Sequence, residues 1–316
     1  MWKIYRRLRA HGILSMNQRN RDYILRYNER WRYPLVDDKL KTKQLAIKAG
    51  IAVPPLYQTI TSEHQIKQFP RLLADHEDFV VKPAHGTGGE GILVITDRVM
   101  NRYRQINGQL LTEEDLGYHL SCLLSGAYSL GGHSDYAIIE HRVIVDPVFE
   151  GIIYEGVPDI RIITLLGYPV MAMARLPTRL SKGKANLHMG GIGIGIDLAT
   201  GKTLQGVFHH QIIDRHPDTL KPLEGITLPF WETILEIAAR CYELTGLGYL
   251  GVDIVLDKDR GPLMLELNAR PGLAIQVANQ TGGLSRYKQV EEQASKFKEQ
   301  EPALSRVAYS QSRFGV

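Results

Sequence analysis

The residues best suited to chemistry lie on the last hairpin of the chain, with Asp253 on one strand and Glu266 and Asn268 on the next. Glu266 and Asn268 are two apart and therefore share a strand face. A turn centred on Asp259 and Arg260 places Asp253 opposite Glu266. A few hard oxygen donors of this kind suit Mg2+, whose octahedron is completed by water and phosphate oxygens. An acidic hairpin facing solvent would use the same residue types. However, the run Pro-Leu-Met-Leu-Glu-Leu-Asn reads as a buried strand, where Glu and Asn need partners. Arg270 follows in Asn268-Ala269-Arg270-Pro271-Gly272, and its planar guanidinium could take two phosphate oxygens.

A second constellation is the loop Gly86-Thr87-Gly88-Gly89-Glu90-Gly91. Its GxGxxG spacing is weak by itself. A dinucleotide fingerprint opens a helix, but the apolar run Ile92-Leu93-Val94-Ile95 that follows here is a strand. No GxxxxGK[ST] occurs, so the loop is not a Walker loop. It is a strand–loop–strand flap whose backbone N–H groups could approach phosphates closely, because glycine has no side chain to clash. Lys82 ends the strand that leads into it, and Lys39 and Lys43 add cations one helical turn apart. A plain Gly-rich hairpin and a solvated helix face are the ordinary alternatives for these two features.

The elements that must position these groups follow from local pattern. Asp37 or Asp38 offers an N-cap for a helix over Lys39 to Ala49, closed by Gly50. Phe79 to Lys82 and Ile92 to Ile95 flank the flap. Residues 100–135 read as an irregular insertion, helical around Glu113 to Leu124. Tyr136 to Glu140 is a strand, and Ile160 to Leu166 pairs with Val170 to Ala174 across Gly167-Tyr168-Pro169. Gly190 to Ile196 alternates Gly with Ile, a strand whose bare face approaches something closely. The clearest helix is Leu228 to Thr245, with Thr227 as cap and Pro229 in its first turn. After Leu284 a short helix and a frayed tail are expected. Hairpins mixed with helices, without βαβα alternation, indicate an α+β fold.

Bulk properties exclude several classes. The 316 residues suit one bilobal unit or two subdomains, and the net charge of +4 is too small to indicate nucleic acid. No apolar run reaches membrane-spanning length, and the N-terminus lacks a signal peptide's apolar stretch. Cys122 and Cys241 cannot build a disulfide framework. A cytoplasmic location is expected. Nine Lys and Arg fall in the first 33 residues (Lys3, Arg6, Arg7, Arg9, Arg19, Arg21, Arg26, Arg30 and Arg32). They form either a solvated helix face or a surface that docks an acidic partner.

The ordered segments DDKLKTKQLAIKAGIAVPP, FVVKPAHGTGGEG, IIEH, PDIRI, ANLHMGG and GVDIVL…GPLMLELNARPG resemble the ATP-grasp superfamily. The resemblance is strongest to the bacterial α-L-glutamate ligases of ribosomal protein and their α-L-glutamate ligase-like relatives. It runs from about Asp37 to Gly272. It implies an ATP-grasp fold of two α+β lobes with mostly antiparallel sheets gripping ATP. The expected organisation is a basic segment 1–36, a grasp domain 37–283 with lobes at about 37–137 and 138–283, and a polar helix and tail 284–316. Classical members carry a complete α/β domain in front, for which 36 residues are too few.

The resemblance also implies roles. Lys82 would contact ATP phosphate, with Lys39 as a further cation. Gly86, Thr87, Gly88, Gly89 and Gly91 would form the lid, and Glu140 and His141 the adenine-binding hinge. Asp159 and Arg161 would line the nucleotide and acceptor site. Arg175, Asn186 and Arg270 would act on the transferring phosphoryl group, with His188 beside it. Asp253, Glu266 and Asn268 would hold a pair of Mg2+ ions, with Mn2+ as the alternative. The implied reaction is ADP-forming ligation of a carboxylate, such as glutamate, to an amine on a peptide, protein or small molecule. An inactive ATP-binding regulator and an ATP-grasp kinase are the competing readings.

Overall fold

Two sheets, both antiparallel throughout, organise the chain in the computed structural model, which describes residues 2–86 and 88–315. The chain divides into one unit of residues 37–44 and 53–143 and another of residues 1–36, 45–52 and 144–316.

In the first unit the strands are β1 (Leu56–Ile60), β2 (Phe79–Pro83), β3 (Leu93–Val99), β4 (Arg102–Gln105), β5 (Leu110–Leu111) and β6 (Ala137–Glu140). They lie in the order β1-β6-β2-β3-β4-β5. Phe79, Val81, Ile95, Tyr103 and Ile139 bury their side chains in its core. The 100–135 insertion is more regular than its sequence suggests, since β4 and β5 form a hairpin ahead of the helix Glu113–Leu124. Thr112 and Asp115 close a reciprocal capping box at the start of that helix. Leu116, Leu120 and Leu123 then recur on one helical face and join the core. The expected cap before Lys39 is Asp38, whose Oδ1 accepts from the N–H groups of Leu40 and Lys41.

The second unit is built on β7 (Asp159–Leu165), β8 (Tyr168–Leu176), β9 (Ile192–Ile196), β10 (Thr203–Phe208), β11 (Gln211–Ile213), β12 (Tyr249–Asp257) and β13 (Gly261–Asn268). Their order is β11-β10-β9-β8-β7-β12-β13. Strand β12 is buried along its whole length. The bare face of β9 does approach other elements closely. A Cβ at Gly193 would lie 2.7 Å from Leu187 Cδ2, and one at Gly195 would lie 2.8 Å from the Ala278 carbonyl.

Three expectations need correction. The long helix spans Trp231–Thr245 and begins later than Leu228, because Phe230 adopts a left-handed φ of 58°. Thr227 is tied by a β-bridge to Lys202 and does not cap it. The C-terminal segment is not frayed. The helices Leu284–Ala294 and Ala303–Phe314 both pack, the second against β8 and the helix Trp231–Thr245. Its inward face includes Arg306, fully buried and paired with Glu243, beside Val307 and Phe314. An arginine at the core position hides this face from a hydrophobic-pattern reading. The basic N-terminal segment is also more than a solvated face. Leu14, Tyr23, Ile24 and Asn28 are buried within the second unit. Asn28 Nδ2 donates to the carbonyls of Tyr249 and Ala269, and its Oδ1 accepts from Tyr249 N–H. Arg19 donates to the Pro271 carbonyl at 2.6 Å. The segment thus braces the open end of the β12–β13 hairpin, where β12 begins and β13 finishes.

Candidate active site

The β12–β13 register pairs Asp253 with Glu266 and Gly251 with Asn268, while β7 sets Arg161 opposite Asp253 and β8 sets Arg175 opposite Asp159. Side chains alternate along each strand, so Asp159 with Arg161 and Glu266 with Asn268 project in same-face pairs. The result is a charged row across four adjacent strands in an otherwise apolar sheet. Arg161 makes a two-pronged pair with Asp253, at 2.6 and 2.5 Å. Arg175 grips Asp159 at 2.5 and 2.7 Å and reaches Asp253 Oδ2 at 2.8 Å. Asn268 Nδ2 donates to the same oxygen at 3.3 Å.

Burial alone would raise the Asp253 carboxyl, but Arg161 and Arg175 outweigh it and hold Asp253 well below the usual carboxylate range. For Asp159 burial dominates and raises the carboxyl despite Arg175. Burial opposes the charge on both arginines as well, yet Asp253 raises each above its ordinary value. Asp253 is fully buried, with a guanidinium on each oxygen. The sequence reading makes it a third metal ligand equal to the others; the structure gives it the added work of holding two arginines.

The donor chemistry fits Mg2+. Glu266 and Asn268 are half-buried on the same strand face. Asn268 commits its amide nitrogen to Asp253, so its oxygen is the end that can meet a cation. Among the described residues no three His, Cys, Asp or Glu side chains form a metal cage. A site of few carboxylates is what Mg2+ uses when phosphate and water complete its shell.

The other expected residues of this unit lie as follows. Arg270 is exposed and its guanidinium stacks over the Tyr33 ring at 5.1 Å. Asn186 Oδ1 accepts from His188 N–H at 3.0 Å, capping the turn Leu187–Met189, and His188 is exposed. Asn186 therefore has a structural duty besides any contact with a ligand.

In the other unit Lys82 and Lys43, both buried, flank the buried Glu140 carboxylate at 2.5 and 2.9 Å. Lys43 also donates to the Pro54 carbonyl. Burial would raise Glu140, but Lys82 and Lys43 pull it below its ordinary value. Glu140, expected at the adenine-binding hinge, uses its side chain to hold two ammonium groups. His141 donates its backbone N–H to Pro55 and sits 3.2 Å from the Tyr57 hydroxyl. Lys39 Nζ donates to the Gly86 carbonyl at 2.5 Å. Gly88, Gly89 and Gly91 all have positive φ, between 65° and 73°, which glycine adopts without penalty. Thr87 lies outside the described residues. The Lys43–Glu140–Lys82 cluster was only half visible in sequence. Lys43 on the early helix and Lys82 at the end of the strand before the flap stood out as cations, but nothing local marked Glu140 as their shared counter-ion.

Burial brings Lys43 down to about 8. Between that value and the ordinary 10.5 the unfolded chain binds a proton the folded chain does not. Stability from this group therefore rises with pH across that window and carries its full penalty below it. We expect Lys43→Met to flatten the rise, read as thermal midpoints of both proteins at about pH 7.5 and about pH 9.5. Equal pH slopes would count against a buried, depressed Lys43.

Residues 18–292 match the family model described as sugar-transfer associated ATP-grasp, and the chain belongs to that family. Its two antiparallel sheets with helices are the α+β fold of the ATP-grasp superfamily. No curated protein matches the chain. Solved structures similar to it include the ATP-grasp ligase PsnB with a minimal precursor, at 16% identity over 84% of this chain and a TM-score of 0.46. This chain spans 64% of that PsnB chain. D-alanine–D-alanine ligase from Bacillus anthracis aligns at 14% identity over 88% of this chain and 70% of its own, with a TM-score of 0.47. D-cycloserine synthetase DcsG aligns at 15% identity over 83% and 71%, with a TM-score of 0.44. Among the described residues, no helix is long and apolar enough to cross a membrane.

Proposed function

We propose that this protein is an ATP-dependent carboxylate–amine ligase that activates a carboxylate as an acyl phosphate. The observation that carries this reading is the row Arg175, Asp159, Arg161, Asp253, Glu266 and Asn268 on four adjacent strands. A carboxylate attacking a γ-phosphate is repelled until the phosphate charge is met by fixed cations. Glu266 and Asn268, with Asp253 behind them, would hold Mg2+, which supplies charge neutralisation at phosphate oxygens. Arg175 and Arg161 are oriented beforehand by Asp159 and Asp253, and Arg270 adds an exposed guanidinium after β13. Lys39, Lys82 and the glycine loop Gly86, Thr87, Gly88, Gly89 and Gly91 serve the phosphates in the other unit, and Glu140 and His141 the adenine. His188 and Asn186 complete the phosphate side.

The acyl phosphate, once formed, is attacked by an amine, releasing phosphate and leaving an amide bond. This scheme needs no side-chain nucleophile. We take glutamate or a similar amino acid as the added group and an amine on a peptide, protein or small molecule as acceptor. We take the cytoplasm, where ATP is available, as its location. The test is incubation of the purified chain with Mg-ATP, amino acids and amine acceptors, following phosphate release and product mass. An amide-linked product with ADP supports the ligase. A phosphorylated product would replace it with a kinase, and tight ATP binding without turnover with a regulator.

A further inference from the structure

The glycine-rich loop is anchored at both ends by histidines, and all the groups involved belong to the unit of residues 37–44 and 53–143. At its start, His85 donates its backbone N–H to Asp135 Oδ2 at 3.0 Å, and its Nδ1 lies 2.8 Å from Asp135 Oδ1. Asp135 is buried and also accepts from Ser129 Oγ at 2.5 Å and from Tyr136 N–H at 2.8 Å. On the far side of the ring, His85 Nε2 lies 3.6 Å from Asp38 Oδ2, which accepts from the Tyr136 hydroxyl at 2.9 Å. Lys41 approaches that same oxygen at 3.9 Å. The imidazole is thus strung between two carboxylates, one capping the helix Lys39–Lys48 and one preceding β6. Gly86 itself forms a β-bridge with Ser129.

At the loop's other end His119, on the helix Glu113–Leu124, lies with Nε2 3.1 Å from the Gly91 carbonyl, the acceptor of that contact. The Tyr128 ring packs so tightly there that a Cβ on Gly91 would come within 2.6 Å of it. Burial lowers the pKa of His119, consistent with a neutral ring donating this bond. Four of these groups (His119, Tyr128, Ser129 and Asp135) come from the 100–135 insertion, which the ligase scheme does not use.

We propose that His85 and His119 are positioning residues that tie the two ends of the glycine loop to the 112–135 segment, so that the glycines between them bend about fixed posts. This rests on the loop's role in nucleotide binding for its consequence, but not for its geometry. Phosphate contacts made by backbone N–H groups require those groups to be held in place, and free ends would have to be ordered on every binding event.

The experiment has two arms on the full chain. In the first, hydrogen exchange is followed without nucleotide. His85→Ala should speed exchange of the amides of residues 86–91 by about tenfold, the loss expected for one charge-assisted hydrogen bond. His119→Ala should act at the 91 end, and exchange in β12 and β13 should not change. His85→Asn, whose side-chain nitrogen stands where Nδ1 stood, should restore most of the protection. Unchanged loop exchange in both alanine variants, or no rescue by Asn, overturns the proposal. In the second arm, Mg-ADP affinity should fall about tenfold in each alanine variant. Affinities within twofold of the parent's would overturn the link to nucleotide. A parent protein that binds no Mg-ADP would instead defeat the nucleotide-site reading, while the exchange arm still decides the posts.

Discussion

Glu266→Gln is expected to cut phosphate release by roughly 10²- to 10³-fold, the scale seen when one charge-stabilising group is lost from a transition state. Thermal stability should stay within about 2 °C of the parent's. The substitution keeps the shape of the side chain and removes one negative charge from a half-buried strand position opposite Asp253. Mg2+ binds through hard anionic oxygen, so metal affinity should fall with the rate. Mn2+ titration reads that fall without any substrate. The neighbouring substitution Asp253→Asn separates the two duties of this row. It removes the carboxylate gripped by Arg161 and one of the two that Arg175 holds, leaving the buried positive charge in excess, which costs about 3–5 kcal/mol. Asp253→Asn should therefore lose stability and turnover together, whereas Glu266→Gln loses turnover alone. Full activity in Glu266→Gln would remove Glu266 from the mechanism.

Glu140→Gln is expected to be the most destabilising single change in the unit of residues 37–44 and 53–143, by about 3–5 kcal/mol. Its carboxylate is the partner of both Lys82 and Lys43, and all three groups are buried. Without it two ammonium groups face each other away from water, each disfavouring the other's charge. The companion variant Glu140→Gln with Lys43→Gln removes one cation together with the anion and should recover more than half of the loss. Urea unfolding followed by far-UV signal measures both. No recovery in the double variant would show that packing, not charge, is what Glu140 supplies. The acid limb provides a second check. The folded-state pKa of Glu140 is lowered from an ordinary 4.5, so its stabilisation is complete above that pH and is lost as pH falls further. Glu140→Gln should flatten that limb.

How far the sequence could be read depended on whether a signal was local. A turn centred on Asp259 and Arg260 sets Asp253 opposite Glu266, and the register contains that pair. The turn itself closes on Asp257 and Gly261, however, and a β-bulge between Asp253 and Ile254 is what brings Glu266 into line. The alternation of Gly and Ile over 190–196 marked a strand with a close neighbour, and Leu187 and Ala278 are that neighbour. The helix Ala303–Phe314 was missed because its buried face carries Arg306 and Ser310, which imitate a solvated tail until Glu243 is seen beside them. The work of Asn28, Glu140 and Asp135 was hidden for a related reason. Each is a lone polar residue whose partners lie on other strands or helices, and no spacing rule links them.

Taken alone, the amino-acid order determined the strand faces, the glycine flap and which side chains carry charge. These depend on the two-residue repeat of a strand, on the missing Cβ of glycine and on side-chain chemistry, all of them properties of short stretches. Which charge meets which was decided only by tertiary structure. Arg161 finds Asp253 across 92 positions of sequence, and His85 finds Asp135 across 50. In a buried setting an ion is stable only where its partner is brought to it, so those pairings, and the roles they leave open for Glu266, Asn268 and the glycine loop, exist only once the sheets have formed.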